Sequence, residues 1–316
     1  MSSGLSGSNK EAIRRILVDT GGYRAGFARV GPVDGGAVEG YRRWIDNGFH
    51  GEMDYMERYG DVRDDPSRLL EGARTVISCA FSYCYPVKFG DSALKVARYA
   101  LGDDYHEVVR KRLSDAVSRI KDVFGGEMRV CVDTAPLRER YWAMRAGVGF
   151  IGRNGHLIIP GAGSYFFLGE IITTLDIEPD EPCRDECDGC GACVRRCPGG
   201  ALRTDGTVDA RRCVSCLTIE HRGEFNDDVA LGDRLYGCDV CQEVCPHNAC
   251  PPMSGIPEFR PRPELLHLDR GRVLSMIHEE YCRLFRRSAI KRAKLAGLQR
   301  NARHCRDCSD GHEDVT

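Results

Sequence analysis

Cysteine in regular runs is the part of this sequence equipped for chemistry. One run reads Cys187-x2-Cys190-x2-Cys193-x3-Cys197-Pro198 and a second reads Cys238-x2-Cys241-x3-Cys245-Pro246, with Cys213 between them. Cysteines spaced two residues apart can wrap a loop around one face of a cubane cluster, and the chain then departs through Cys-Pro. In such paired runs the cysteine before the proline ligates the neighbouring run's cluster. We therefore assign Cys187, Cys190, Cys193 and Cys245 to one 4Fe-4S cluster, and Cys197, Cys213, Cys238 and Cys241 to another. Cys216, in the same stretch as Cys213, is the alternative for that ligand. Zinc sites and disulfides compete for cysteines in general, but two Cys-Pro-terminated runs of matching shape select iron and sulfide.

The pattern is that of a bacterial two-cluster ferredoxin with a shortened second run. Two cubanes side by side form a wire, so the rest of the chain must supply what the wire feeds. At 316 residues there is room for a large domain and a smaller one. With 42% apolar and 29% charged residues the composition is that of an ordinary globular protein. No run reaches the ~18 to 20 apolar residues of a membrane span, and no signal-peptide pattern opens the chain, so we expect a cytoplasmic protein without a membrane partner. Nine of the 17 cysteines lie outside the two quartets, an odd remainder that argues against a disulfide framework. We read Cys79, Cys84, Cys131 and Cys282 as buried small hydrophobes.

The formal net charge of −2 hides an asymmetry: from Arg283 to Arg306 there are nine Lys or Arg and no Asp or Glu. Such a stretch suits the phosphates of a nucleic acid, whereas a merely solvated helix face mixes both signs.

The elements that must position these groups follow from local pattern. Ser8-x-x-Glu11 reads as a capping box opening a helix that Gly21-Gly22 ends. Tyr23 to Val30 and Thr75 to Ser82 read as strands, the latter central. Leu94 to Ala100 is a further candidate strand. Tyr105 to Phe124 is helical and stopped by Gly125-Gly126, Met128 to Val132 is a strand, Leu137 to Ala146 a helix and Phe166 to Leu175 a strand. Asp176 to Pro182 is the join to the cysteine-rich region, and later prolines keep the chain extended. Two helices, from about Asp269 to Phe285 and from Ser288 to Gln299, close the pattern.

The expected class is α+β: a mixed α/β domain over residues 1–175, a ferredoxin-like domain with two 4Fe-4S clusters over 176–250, a basic helical region over 251–303, and a disordered tail over 304–316.

Three motifs need weighing. Gly147-Val-Gly149-Phe-Ile-Gly152 spells the dinucleotide fingerprint, but a helix precedes it and a strand follows, the reverse of what a Rossmann turn requires. Those glycines more simply allow close backbone approach. Asp104-Tyr-His106 opens like a cobalamin signature, yet Val109 replaces the required glycine, so His106 is read as a core or capping residue. Cys305-x2-Cys308 with His304 and His312 could bind zinc, but its polar ending favours a disordered tail. Asp133, at the end of a strand in Val132-Asp-Thr-Ala-Pro136, is either an acid at a pocket mouth or the N-cap of the following helix.

Many separate blocks resemble one family. They are Gly51-Glu-Met-Asp-Tyr-Met-Glu-Arg58, Ala97-Arg-Tyr-Ala-Leu-Gly-Asp-Asp-Tyr-His106, Asp133-Thr-Ala-Pro136 with Glu139-Arg140, Arg145-Ala-Gly-Val-Gly-Phe-Ile-Gly-Arg-Asn154, Phe167-Leu-Gly-Glu170, both cysteine runs, Leu217-Thr-Ile-Glu220 and Ser288-Ala-Ile-Lys-Arg292 with Arg300-Asn-Ala302. Over about residues 10 to 303 the chain resembles the epoxyqueuosine reductases.

The resemblance implies a cobalamin-dependent iron-sulfur enzyme that reduces the epoxide of epoxyqueuosine at the wobble position of tRNA, with loss of water. It implies base-off cobalamin in the first domain, electrons passing through both clusters, and the aspartate of the Asp-Thr-x-Pro block, here Asp133, as proton donor. We expect burial to raise the pKa of that carboxyl, and a reduced cobalt to open the epoxide. By the same block matching, Met56, Arg98, Tyr105, Asp133, Asn154, Leu157, Ser164 and Asp239 are expected around the corrin, and Lys291, Arg292 and Arg300 on the tRNA. The implied partners are tRNA carrying epoxyqueuosine and a low-potential electron donor of the flavodoxin or ferredoxin type, and we expect a monomer.

Departures from the family pattern are Cys216 in place of an aromatic, Phe150, Arg153 and Gly155 in place of Trp, Lys and Thr, and no helical-repeat extension after Asn301. The competing functions are a corrinoid reductase of a small molecule, like a reductive dehalogenase, and a ferredoxin-type electron carrier.

Overall fold

The computed structural model describes residues 4–226 and 229–305. Its centre is a four-stranded antiparallel sheet in the order β1-β2-β7-β4, from β1 (Arg24–Arg29), β2 (Thr75–Ser82), β4 (Met128–Cys131) and β7 (Phe166–Thr173). Three short strands, β3 (Lys95–Val96), β5 (Phe150–Ile151) and β6 (Leu157–Ile158), lie between these in sequence, and β8 (Arg234–Tyr236) follows them. The helices of the first half are α1 (Gly7–Asp19), α2 (Gly35–Asp46), α3 (Gly60–Asp64), α4 (Tyr105–Phe124) and α5 (Glu139–Arg145).

Every residue of β2 is buried because helices cover both faces of the sheet. Side chains alternate across a strand. Ile77, Cys79 and Phe81 therefore face Ile13 and Leu17 of α1 and Val109, Leu113 and Ile120 of α4. Val76 and Ala80 face Tyr141 and Trp142 of α5. Helix α4 approaches β7 so closely that a Cβ on Gly169 would lie 2.6 Å from Leu113 Cδ1, which excludes any larger residue there.

The cysteine-rich region is loops punctuated by α6 (Ala192–Arg196), α7 (Val214–Ile219) and α8 (Val240–Glu243). It is tied to the first half at two places. Asp180, in the Pro- and acid-rich join, accepts Lys10 Nζ at 2.6 Å, Arg14 Nη2 at 3.2 Å and the Phe27 amide at 3.0 Å. Strand β3 pairs in parallel with β8, and Leu94, Val96 and Leu101 share one core with Leu235, Tyr236, Leu265, Phe285, Ile290 and Leu298. Residues from all three expected regions thus build a common core, each fully buried Leu contributing about 2 kcal/mol.

Several local expectations are corrected. Helix α1 starts at Gly7 with Ser6 as an N-cap that makes no side-chain bond, so the Ser8 capping box does not form. The chain before it is pinned, Leu5 bridging to Ile177, and that brings the helix start forward. The candidate strand Leu94 to Ala100 shortens to Lys95–Val96 and turns at Arg98–Ala100, because the Arg98 amide is captured by Asp239. The later prolines open 3-10 turns at Pro246–Asn248, Pro257–Phe259 and Pro263–His267.

The expected helix from Asp269 to Phe285 is two helices, α9 (Arg270–Ser275) and α10 (His278–Leu284), broken where extended Met276 is drawn into the core. The last is a 3-10 turn, Ala289–Ala293, followed by α11 (Lys294–His304). Cys79, Cys84 and Cys131 are buried as expected, but Cys282 is exposed on α10, 3.4 Å from His278 Nε2. Cys305 is buried with its Sγ 3.5 Å from the Arg234 carbonyl, while Cys308, His312 and the rest of the 304–316 tail beyond Cys305 lie outside the described residues. Among the described residues no helix is long and apolar enough to cross a membrane.

Arg300 is also corrected. Expected on the tRNA, it is 3% exposed, donates to the carbonyls of Leu217, His221 and Gly223, and lies 4.1 Å from the Phe225 ring centroid. It holds the chain after α7 against α11. Arg300→Ala is expected to cost about 3 kcal/mol in denaturant unfolding, with no change in the salt dependence of RNA binding.

Candidate active site

The first cysteine loop wraps because Gly189 and Gly191 take φ of 67° and 69°, a region open to glycine. Cys187, Cys190, Cys193 and Cys245 then line one recess with Asn154, Ile158 and Pro246. Cys197, Cys213, Cys238 and Cys241 form a second group whose thiols feel one another's charge. Burial, reinforced by that mutual repulsion, pushes Cys213, Cys238 and Cys241 up, so their thiolate forms need a cationic body between them. The Ala201 amide donates to Cys197 Sγ at 3.2 Å, a contact suited to a ligating sulfur.

Among the described residues no three His, Cys, Asp or Glu side chains converge as a single metal ion would require. Cys213 heads α7, where the Ser215 and Cys216 amides reach its sulfur, whereas Cys216 lies among Glu52, Glu220 and Tyr55. Cys213 is the ligand we propose, with Cys216 the alternative. Cys213→Ser is expected to lower bound iron by about half, and Cys216→Ser to leave it unchanged. Iron analysis and visible absorbance of the two variants check this.

Strand β4 delivers Asp133 into a strained turn. Asp133 has φ 53°, and the Thr134 amide donates to the Val132 carbonyl at 2.5 Å, closing a γ-turn of the rare left-handed kind. The N-cap of α5 is Arg138, so Asp133 is not its cap. Instead Asp133 Oδ2 lies 2.9 Å from His106 Nε2, and His106 Nδ1 lies 2.7 Å from Asp104 Oδ1. The imidazole bridges two carboxylates at the N-terminus of α4. It stacks on Tyr105, which stacks on Phe167 with centroids 4.4 Å apart.

The electrostatics reverse the expected pKa shift. Burial raises Asp133, but the hydrogen bond and charge of His106, with the Tyr105 hydroxyl and Arg140, override it and hold the carboxyl below its ordinary range. Burial lowers His106, yet the two flanking carboxylates override that and push it up to about 9. At neutral pH the mobile proton sits on His106, hydrogen-bonded to an ionised Asp133. The Asp133 side chain remains 53% exposed.

The other expected residues gather partly. The Asp239 carboxylate accepts the Arg98 amide at 2.7 Å, Asn154 Nδ2 donates to the Cys241 carbonyl at 3.3 Å, and Ser164 Oγ to Gln242 Oε1 at 2.9 Å. Four of them thus converge on residues 239–242, among the ligands of the second cluster. Tyr105 joins Asp133. Met56 stands apart, its carbonyl accepting the Tyr41 hydroxyl at 2.7 Å, and Leu157 is buried in the core beneath α5.

Glu139, Arg140 and His156 keep accessible surface although burial dominates their titration, as on the inner wall of a cleft. The glycine-rich stretch serves the chain itself: a Cβ on Gly149 would lie 2.3 Å from the Ile158 carbonyl oxygen. Arg292 pairs with Glu220 at 2.8 Å and lies over Tyr55, while Lys291 is exposed.

Comparison with known proteins gives this geometry a family. Residues 63–134 match the epoxyqueuosine reductase QueG family, and residues 186–248 match the 4Fe-4S double cluster binding domain. The epoxyqueuosine reductase of Cellulophaga algicola is 37% identical over 82% of this chain and 86% of its own length. That of Escherichia coli is 37% identical over 86% of this chain and 75% of its own. The chain belongs to the epoxyqueuosine reductase family.

As a member of the epoxyqueuosine reductase family it is an oxidoreductase with a double-cluster domain. A crystal structure of an epoxyqueuosine reductase with an epoxyqueuosine-modified tRNA-Tyr stem loop superposes with a TM-score of 0.84 at 31% identity, over 93% of this chain and 79% of that one. The Bacillus subtilis epoxyqueuosine reductase, solved with its catalytic aspartate loop swung out of the active site, gives 0.83 at 30% identity, over 93% and 79%.

Proposed function

We propose that this protein reduces epoxyqueuosine in tRNA to queuosine, taking electrons through its two clusters to a cobalamin held between Asp133 and residues 239–242, with Asp133 delivering a proton. The Asp104–His106–Asp133 array beside the second cysteine quartet carries the reading. The overall change is balanced: the epoxide takes two electrons and two protons, both C–O bonds break, the alkene forms and the oxygen leaves as water.

Aromatic rings with a few polar groups fit a large flat cofactor whose rim carries amides. Tyr105 stacks on Phe167, and Asn154, Ser164 and Asp239 supply polar groups. Arg98, Tyr105, Asn154, Ser164 and Asp239 would hold the corrin, with Met56 and Leu157 as further contacts. When bound, cobalamin would supply a cobalt centre reducible to a strong nucleophile. The base-off state belongs to the same proposal.

What the chain's own residues do follows from the array. Asp133 takes a proton from His106 Nε2 and passes it to the oxygen as negative charge develops there. Asp104 keeps the imidazole oriented and protonated. Cys190, exposed on the first cysteine loop, marks where a low-potential donor of flavodoxin or ferredoxin type would deliver electrons. Exposed Lys291 and the outer edge of Arg292 would meet the tRNA backbone.

Asp133→Asn is expected to lower turnover by about 10²-fold or more while cluster and cobalamin spectra stay intact; near-normal turnover would sink the assignment. In the wild type, His106 keeps its proton below a pKa of about 9 and loses it above. The rate should therefore fall as pH rises through about 9, and His106→Gln should lose that limb. Lys291→Glu with Arg292→Glu should weaken tRNA binding and lower the slope of log affinity against log salt by about two. An unchanged slope would remove these residues from the interface.

A further inference from the structure

Beneath Asp133 lie two carboxyls that the proton path does not use. Glu170 on β7 has no exposed surface; its Oε1 accepts the Ser78 hydroxyl at 3.1 Å, and its Oε2 is buried without an ordinary hydrogen-bond partner. A buried unsatisfied oxygen asks for a cause. The group it faces is Glu139, the first residue of α5. Glu139 reaches the other way as well, its Oε1 accepting the amide N–H of Asp133.

The ladder sets up this stack. Cys131 pairs with Glu170 across β4 and β7, so the chain that leaves β4 for Asp133 passes directly over the buried carboxyl. Two desolvated carboxyls in contact do not both ionise. Burial raises both, most of all Glu170, which keeps its proton, while Glu139 is pushed up to about 7. The groups facing Glu139 are Asp133 on the turn, Arg140 on its own helix, Glu170 on β7, Tyr105 on α4 and Cys131 at the end of β4. Its ionised form accepts an amide hydrogen bond more strongly than its neutral form.

We propose that Glu139, backed by the shared proton of Glu170, is a positioning residue that clamps the strained Asp133 turn shut by accepting its amide. A γ-turn with a left-handed non-glycine residue does not hold itself closed, and this bond supplies the restraint. The clamp tightens as Glu139 ionises, so closure of the turn becomes pH-dependent near neutrality. Its effect on turnover rests on Asp133 as proton donor; its effect on the turn does not.

The test is hydrogen–deuterium exchange of the peptide spanning residues 131–137 in the cluster-loaded protein, on both sides of neutral pH and corrected for intrinsic rates. Wild type should show protection rising through a step near pH 7. Glu139→Ala should exchange about tenfold faster and lose the step. Glu139→Gln keeps the shape and a carbonyl acceptor, and should show partial protection without a step. Glu170→Gln, whose amide donates permanently to Glu139, should move the step to lower pH.

In parallel, kcat of the Glu139 variants should fall with the lost protection while KM for the tRNA changes by less than about twofold. Wild-type exchange in Glu139→Ala, or a surviving step in Glu139→Gln, overturns the clamp whatever happens to turnover. Normal turnover in Asp133→Asn alongside fast exchange in Glu139→Ala would instead remove the proton-donor reading and leave the clamp standing.

Discussion

The bond from the Arg98 amide to the Asp239 carboxylate is the joint on which the structure depends. It ends β3, turns the chain toward α4, and fixes the start of α8, which Cys238 precedes and Cys241 lies within, both members of the second quartet. Asp239 is 3% exposed, and burial pushes its pKa up to about 6. A group this desolvated persists only because its partner is fixed, here by a backbone amide and by the parallel β3–β8 pair beside it. Together they tie residues 238–241 of the cysteine-rich region to the chain between β3 and α4.

At Asp133 and His106 the contest is between burial and hydrogen bonding. Burial alone would make Asp133 a neutral acid and His106 a neutral base; the pair formed at 2.9 Å inverts both. The result is an ionised carboxylate with a proton waiting one bond away. That arrangement suits an oxygen whose basicity appears only as the C–O bond breaks, because the proton moves on demand rather than sitting on the acid beforehand.

Long, strongly patterned elements were legible in the sequence. Helix α4 runs from Tyr105 to Phe124 as its Asp104 cap and Gly125 stop indicate, and β2 spans Thr75 to Ser82 as its unbroken apolar run indicates. The double-cluster region was legible because the spacing within each cysteine run is local. His106 as Asp133's partner was not: the two are 27 residues apart and meet only because α4 and β4 both lie against β7. The one signal was the Asp104-x-His106 spacing, which reads equally as a cap. Arg300 misled for a related reason, since composition counts charges without showing which way they point. Met276 breaks a helix because the core needs its side chain, a demand that no local propensity records.

The most direct test is to reconstitute the protein anaerobically with iron and sulfide, supply a low-potential reductant and tRNA bearing epoxyqueuosine, and weigh the digested nucleosides with and without cobalamin. The account predicts loss of one oxygen from the modified nucleoside, and only when cobalamin is present. No loss despite intact clusters and bound cobalamin, or equal loss without cobalamin, would contradict it.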